Sequence, residues 1–223
     1  KLADNPIDRS ILHSLIAGIY ANYAANNQWQ LRQRTEIVGE APSADMREWT
    51  ANMFVEKVRT SIKEAMADSV LLLNTSSRTY IPFVELGETS EYYHHDMYHL
   101  LAFRSIEALQ QIEGLDRATP VEAYSEDTSS KKQSPVKQDI ERIYENMLTS
   151  YKAKGDKEGC LLTNLNYLSW KRDSSKSFRE PFSVKKGGTY MMTVDPYETG
   201  LDALKTEYKS SDLCAEVYLA QAN

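Results

Sequence analysis

Three of the four histidines of this chain lie between Glu91 and His99. Imidazole is the side chain that most often binds transition metals, because a neutral ring nitrogen offers a lone pair. On a helix, His95 and His99 would share one face, and Glu91 would precede them on the adjoining turn. This is the spacing by which a helix offers two or three ligands to one divalent transition metal. His94 would lie about 100° away around the axis, so it could not join the same ion.

A further ligand would have to come from another helix. His13, in the first predicted helix, is the remaining histidine, and helix bundles build metal sites from facing helices. The predicted ligand set is therefore His95, His99, His13 and Glu91. In this arrangement the chain resembles the metal-binding DinB-type bundles, in which histidines from two helices meet, and the likeness rests on the histidine pair alone. The sequence favours the interpretation that no cofactor is bound and that these histidines hydrogen-bond to Tyr, Glu or backbone groups, with a divalent transition metal as the alternative.

Other catalytic signatures do not occur in the sequence. Neither glycine-rich phosphate loop is present, and the G-x-S-x-G turn of hydrolases is missing. Cys160 and Cys214 have no neighbouring histidine that would activate a thiolate. We expect both to be reduced, buried thiols, with a single disulfide between them as the alternative. The sequence thus favours a protein that is not an enzyme.

Composition limits the partners and the compartment. The chain has 223 residues, of which 41% are hydrophobic and 26% charged, and its net charge is −6. An acidic chain is a poor match for nucleic acid, whose phosphates attract Lys and Arg. No apolar run approaches the ~20 residues of a membrane-spanning helix. A cytoplasmic location is the default expectation.

Apolar periodicity and capping residues predict four long helices. The first begins near Asp8 and carries one apolar stripe that consists of Leu12, Leu15, Ile16, Ile19, Tyr20 and Tyr23. The second is capped by Ser43 and extends to about Leu73. The third covers Ser90–Glu113 and ends at Gly114. The fourth starts at Ser134-Pro135 and ends at Gly155.

The third predicted helix is apolar on two sides, which is typical of a central or partner-covered helix. The chain also contains 14 tyrosines against 5 phenylalanines, and Tyr is a residue that suits protein interfaces. These two features predict a protein partner or self-association. The predicted contact stripe consists of His95, His99, Ala102, Phe103 and Ile106.

The remaining segments are shorter. Thr79–Leu86 contains Pro82 and is predicted to be an edge strand or an extended linker. Ser125–Gln133 is entirely polar, and we expect limited proteolysis to cleave there first, after Lys131 or Lys132. Near the C-terminus, Phe182–Val194 has the pattern of a β-hairpin around Gly187-Gly188. Two short helices are predicted after it, at 201–208 and 212–222, although Val217, Tyr218 and Leu219 could instead form a strand.

Taken together, these patterns predict a mainly α protein with four long helices in a bundle-like arrangement and a small C-terminal α+β region containing a β-hairpin. The predicted divisions are a helical region (1–114), an exposed connection (115–133), and a fourth helix with a small mixed region (134–223) that packs on the bundle as one compact unit. The leading hypothesis is a soluble, non-catalytic scaffold or complex subunit. The alternative is a metal-dependent enzyme with a histidine site in the helix bundle.

Overall fold

The structure, a computed structural model, describes residues 4–34, 43–81, 94–115, 134–174, 183–186, 189–192 and 195–222. These residues are mainly helical, which confirms the predicted fold class at that level. Within them the α-helices are α1 (Pro6–Asn26), α2 (Gln28–Arg32), α3 (Ala51–Ala65), α4 (Ser69–Leu73), α5 (Met97–Ile112), α6 (Pro135–Lys154), α7 (Lys157–Ser174), α8 (Pro196–Glu207) and α9 (Cys214–Ala222). None of the helices in these ranges has the length and hydropathy needed to cross a membrane.

The chain divides into two compact units, Lys1–Ile143 and Tyr144–Asn223. In the first unit, α1 packs against α3 and α5, and α5 also contacts α4. In the second unit, α8 contacts both α7 and α9. The predicted connection 115–133 lies outside the described residues except for Leu115, and so do both predicted cleavage sites.

Apart from Ile7, the buried face of α1 is formed by small residues, and of the predicted apolar stripe Tyr20 and Tyr23 pack on Phe54 of α3 whereas Leu15 and Ile19 are exposed. Asn5 caps the helix by accepting a hydrogen bond from the Ile7 amide (2.9 Å). Beyond Ile7, the buried side chains are Ser10, Ser14, Ala17, Ala21 and Ala24. Leu15 is 45% exposed and Ile19 63% exposed. Small side chains allow neighbouring helices to approach closely, and Leu15 and Ile19 lie on the opposite face of α1.

The predicted second helix is divided in the structure. Ser43 begins no helix but accepts a hydrogen bond from the Asp45 amide (3.1 Å), ahead of a short 3₁₀ turn at Met46–Glu48. Thr50 then caps α3, and Asp68 caps the separate helix α4. Side chains that can accept a hydrogen bond from the first-turn amides fix these starting points.

Helix α5 is central in the first unit, as its two-sided apolar pattern predicts. Its buried residues include Leu101, Ala102, Ile106, Leu109 and Ile112. The helix ends just before Gly114, which has a positive φ of 95°. Its start differs from the prediction: it begins at Met97, whereas the sequence pattern predicts Ser90. Asp96 caps it, and residues 82–93 lie outside the described part of the chain.

Local signals predict α6 correctly. The Ser134 hydroxyl accepts a hydrogen bond from the Lys137 amide (3.3 Å), with Pro135 at the first helical position. Gly155 follows the last turn with a φ of 68°. In the first unit, Asp139 of this helix makes an ion pair with Arg59 of α3, at 2.6 Å.

The second unit has a small apolar core of its own. Its buried members are Leu161, Leu201, Leu204, Tyr208 and Val217. The segment Cys160–Trp170 lies within α7. The helix predicted at 201–208 begins earlier, at Pro196, because proline suits the first helical turn. Helix α9 excludes the strand alternative for Val217, Tyr218 and Leu219.

Between α7 and α8 the backbone forms two short strands, β1 (Ser183–Lys186) and β2 (Thr189–Met192). They pair antiparallel, with Ser183 opposite Met192 and Lys186 opposite Thr189. The expected turn at Gly187-Gly188 lies outside the described residues, so the complete hairpin stays a prediction. For Thr79–Leu86, the described part (79–81) begins in a 3₁₀ turn at Ser77–Tyr80 rather than in a strand.

We expect Gly159→Ala to destabilise the protein, because an added Cβ would lie 2.6 Å from Cδ1 of Tyr151. Tyr151 is fully buried, so its ring has little room to move. The expected loss in the free energy of unfolding is about 1–3 kcal/mol, the usual cost of overpacking. Urea denaturation followed by circular dichroism would measure it.

The matched control is Gly18→Ala in α1, where an added Cβ would meet nothing within 4 Å. Because Ala has a higher helix propensity than Gly, this change should stabilise the protein by up to about 1 kcal/mol. Equal effects of the two substitutions would contradict the proposed packing of α7 on Tyr151.

Candidate functional site

The backbone around His94, His95 and Asp96, just before α5, is hydrogen-bonded to the segment after α4. The Met97 amide donates to the Thr75 carbonyl (2.9 Å), and the Ser77 amide donates to the His95 carbonyl (3.1 Å). The buried Ser77 hydroxyl donates to the His94 carbonyl (2.8 Å). These bonds position the start of α5 against the end of α4.

His94 has a backbone conformation that is rare for residues other than glycine, with a φ of 67°. Its side chain is buried, and its ring centroid lies 4.8 Å from that of Phe103 in α5. A left-handed residue with a large side chain stores strain, which the surrounding contacts must offset. Burial lowers the pKa of His94 to about 3, and the nearby His99 contributes in the same direction while Asp96 opposes it. The His94 imidazole is therefore neutral at physiological pH.

Asp96 holds the first turn of α5 because its carboxylate accepts hydrogen bonds from both the backbone amide and the ring of His99. One carboxylate oxygen accepts from the His99 amide (3.0 Å), which is the usual bond of a helix cap. The two oxygens also lie 2.9 and 2.8 Å from Nδ1 of His99, which places the Nδ1 proton on the bond to the carboxylate. Asp96 is buried, and His99 is 0% exposed. A carboxylate in this position fixes the orientation of an imidazole ring, as it does beside metal sites.

The predicted metal ligands are not brought together in the described part of the chain. His95 precedes α5 and is exposed, while His99 is buried inside the helix, so the expected shared helix face is wrong. His13 is half-buried on α1, and Glu91 lies outside the described residues. Among the described residues, no group of three or more His, Cys, Asp or Glu side chains could hold a metal ion. Metal binding by this set stays a prediction.

The predicted contact stripe lies largely in the interior of the first unit. His99, Ala102 and Ile106 are buried, Phe103 is half-buried against His94, and His95 is exposed. In this conformation a partner would reach only His95 and part of Phe103. The stripe is therefore core in the described structure, and its use by a partner stays a prediction.

Tyrosine also serves packing more than the sequence suggests. Four tyrosines are buried in the described residues, namely Tyr98, Tyr144, Tyr151 and Tyr208. In the second unit, Tyr144 stacks on Tyr167 with ring centroids 4.8 Å apart, and Tyr167 stacks on Trp170 at 6.0 Å. The abundance of tyrosine is thus explained in part by the cores of the two units.

Both cysteines are free thiols, as expected, although only Cys160 is fully buried. Burial raises the pKa of the Cys160 thiol, which keeps it protonated and unreactive. Cys214 is half-buried at the start of α9.

An exposed row of residues on α1 is the surface feature that sequence reasoning missed. Its members alternate at four- and three-residue spacing, and we call them the α1 seam: Asp8, Leu12, Leu15, Ile19, Asn22 and Asn26. The apolar middle is exposed at Leu15 and Ile19, while Leu12 is half-buried. Beyond the helix, Trp29 is 73% exposed. A sequence signal was present, because no charged residue occurs from Ser10 to Leu31.

Comparison of the chain with protein-family models, curated proteins and solved structures gives no significant match in any of the three.

The buried, neutral His94 should make stability fall on acidification. The His94 pKa is about 6.5 in the unfolded chain and about 3 in the folded one, so only the unfolded chain takes up the proton between these values. We expect a loss of about 2–3 kcal/mol in the free energy of unfolding from pH 7 to pH 4.5. Urea denaturation at a series of pH values would measure this loss.

The variant for this test is His94→Asn, since Asn tolerates a positive φ and does not titrate in this range. It should lose most of the pH dependence between pH 7 and pH 4.5, whereas His95→Gln, at the exposed neighbour, should keep the wild-type profile. An unchanged profile in His94→Asn would show that His94 is not the group that takes up the proton.

A comparison of His99→Leu with His95→Leu separates packing from metal binding. If the cluster is structural, His99→Leu should cost about 1–3 kcal/mol because the buried Asp96 loses the Nδ1 donor, and His95→Leu should cost little. A chelator should then leave the melting temperature of the wild type unchanged. If both histidines bind a metal, both substitutions and the chelator should lower the melting temperature, and this outcome would restore the metal-site hypothesis.

Proposed function

We propose that this chain is a non-catalytic helical protein that binds another protein, as a scaffold or as one subunit of a larger assembly. The observation that carries the proposal is the exposure of Leu15 and Ile19 on the α1 seam. Each square ångström of apolar surface that is removed from water contributes about 25 cal/mol to the free energy of binding. Burial of two large aliphatic side chains on one face would therefore stabilise a complex. A partner helix or groove would cover them.

The location of the seam supports this interpretation. The opposite face of α1 is occupied by its contacts with α3 and α5, so the helix itself is held in place by the first unit. Asn22 and Asn26 extend the seam with uncharged side chains, joined by a hydrogen bond of 2.9 Å. A rigid helix with an apolar centre and polar ends is a common recognition element in protein interfaces.

Charge supports a protein partner rather than a nucleic acid. The chain carries a net charge of −6, and the α1 seam holds no Lys or Arg that could contact phosphates. A partner for this seam would be apolar at its centre and would offer hydrogen-bonding groups at its ends.

The metal-dependent enzyme remains the alternative proposal. It would require ligands from outside the described residues, such as Glu91, or a rearrangement that brings His95 and His13 to His99. The burial of His99 against Asp96 favours a structural role, because a catalytic centre must admit substrate. The finer architecture is also a proposal: the long helices form a bundle, and the C-terminal region contains a complete β-hairpin.

A photo-crosslinking amino acid at position 19 would test the protein-binding proposal in cells that express the protein. Replacement of Ile19 by benzoylphenylalanine should give covalent adducts with a protein after irradiation. The same residue at Glu107, which is exposed on α5, should give none. Absence of adducts at position 19, together with turnover of a small molecule by the purified monomer, would contradict the proposal.

A further inference from the structure

The α1 seam has the spacing of a coiled-coil interface. Successive members are four, three, four, three and four residues apart, which is the alternation of a and d positions in a heptad. In this heptad, Leu12 and Ile19 occupy a positions and Leu15 occupies a d position. Such a row lies along a single helix face and is covered most simply by another helix that presents the same row.

Charge around the seam restricts what that helix can be. Over the whole chain 26% of residues are charged, yet none is charged from Ser10 to Leu31. Two copies of a chain with a net charge of −6 repel each other at most orientations. The α1 seam is a surface where they can meet without facing charges of the same sign, provided that the two Asp8 carboxylates stay apart.

We propose that the partner of the α1 seam is a second copy of this chain, which packs antiparallel across a two-fold axis near Ala17. The proposal rests on the protein-binding function and names its partner. About this axis, Leu15 of one copy meets Ile19 of the second copy, Asp8 meets Asn26, and Leu12 lies opposite Asn22. A parallel pair would instead place the two Asp8 carboxylates together, which costs free energy.

The polar ends of the seam fit this pairing. The Asn26 amide nitrogen already donates one hydrogen to Asn22 (2.9 Å), and an amide nitrogen carries a second hydrogen that can donate to a carboxylate. Asp8 is half-buried near the start of α1, and its carboxylate oxygens can accept such a bond. Polar residues at seam positions fix the register of a helix pair at some cost in stability, so these ends would select one alignment.

The size of the seam predicts weak association. Helix α1 has 21 residues. At 1.5 Å per residue it is about 31 Å long, so a pair of such helices buries less than the ~800 Å² per partner of a standard interface. The dimer should therefore form reversibly and increase with protein concentration.

Sedimentation velocity and light scattering over a concentration series would test the proposal. The mean molar mass of the wild type should rise from 25.4 kDa towards twice that value. Ile19→Gln should stay at 25.4 kDa at the same concentrations, and its thermal melting should match the wild type because Gln is a good helix former. Leu219→Gln is the matched control, since Leu219 is 60% exposed against 63% for Ile19, and it should associate like the wild type.

Disulfide trapping would test the antiparallel register. In a Cys214→Ser background, a mixture of the Leu15→Cys and Ile19→Cys variants should form the mixed disulfide faster than either variant forms its own. Faster formation of the two homodisulfides would show a parallel pair and overturn the proposed arrangement.

Failure of this inference can be told apart from failure of the proposed function. A wild type that stays monomeric at all concentrations, while position 19 crosslinks to a different protein, would overturn the second copy as the partner and keep the protein-binding function. A crosslink from position 19 to another part of the same chain would overturn both.

Discussion

The first unit depends on the close packing of α1 against α3 and α5. Ser10, Ser14, Ala17, Ala21 and Ala24 form the buried face, and their small volumes let the helices approach without a gap. The larger apolar residues of the unit, such as Phe54 and Leu109, come from the neighbouring helices. Leu15 and Ile19 lie on the face of α1 opposite these small residues, so the same packing that builds the core leaves the α1 seam exposed at its centre.

The histidine cluster has the residue types of a chemical site, and its described contacts hold the backbone at the start of α5. Asp96 caps α5 and binds the His99 ring, and the carbonyls of His94 and His95 accept hydrogen bonds from Ser77. The bonds from Ser77 attach the start of α5 to the segment after α4, and the bonds of Asp96 to His99 hold the first turn of α5 itself. Burial keeps His94 neutral, and it removes His99 from contact with any substrate.

Sequence reasoning succeeded where a local signal determines the structure. Ser134-Pro135 and Gly155 mark the ends of α6, and Gly114 marks the end of α5, because caps and positive-φ glycines act over a few residues. It failed at the start of α5, which the sequence pattern places at Ser90 and the structure at Met97. Residues 95–97 form backbone hydrogen bonds and a bridge with residues 75–77, and this long-range contact is not visible in the local sequence. It also failed on α1, where small and large residues recur at the same spacing and volume matching in the core decides which face is buried.

Exposed apolar residues carry a risk of non-specific association, and the α1 seam limits that risk by its composition. Its apolar centre extends only from Leu12 to Ile19, and Asp8, Asn22 and Asn26 bound it at both ends. A partner that covers the centre must also offer groups that bond to these polar ends, because polar groups that are buried without hydrogen bonds cost free energy. Apolar area thus supplies the attraction while the polar ends supply selectivity. On the proposed function, such a surface favours one partner in one register over non-specific association.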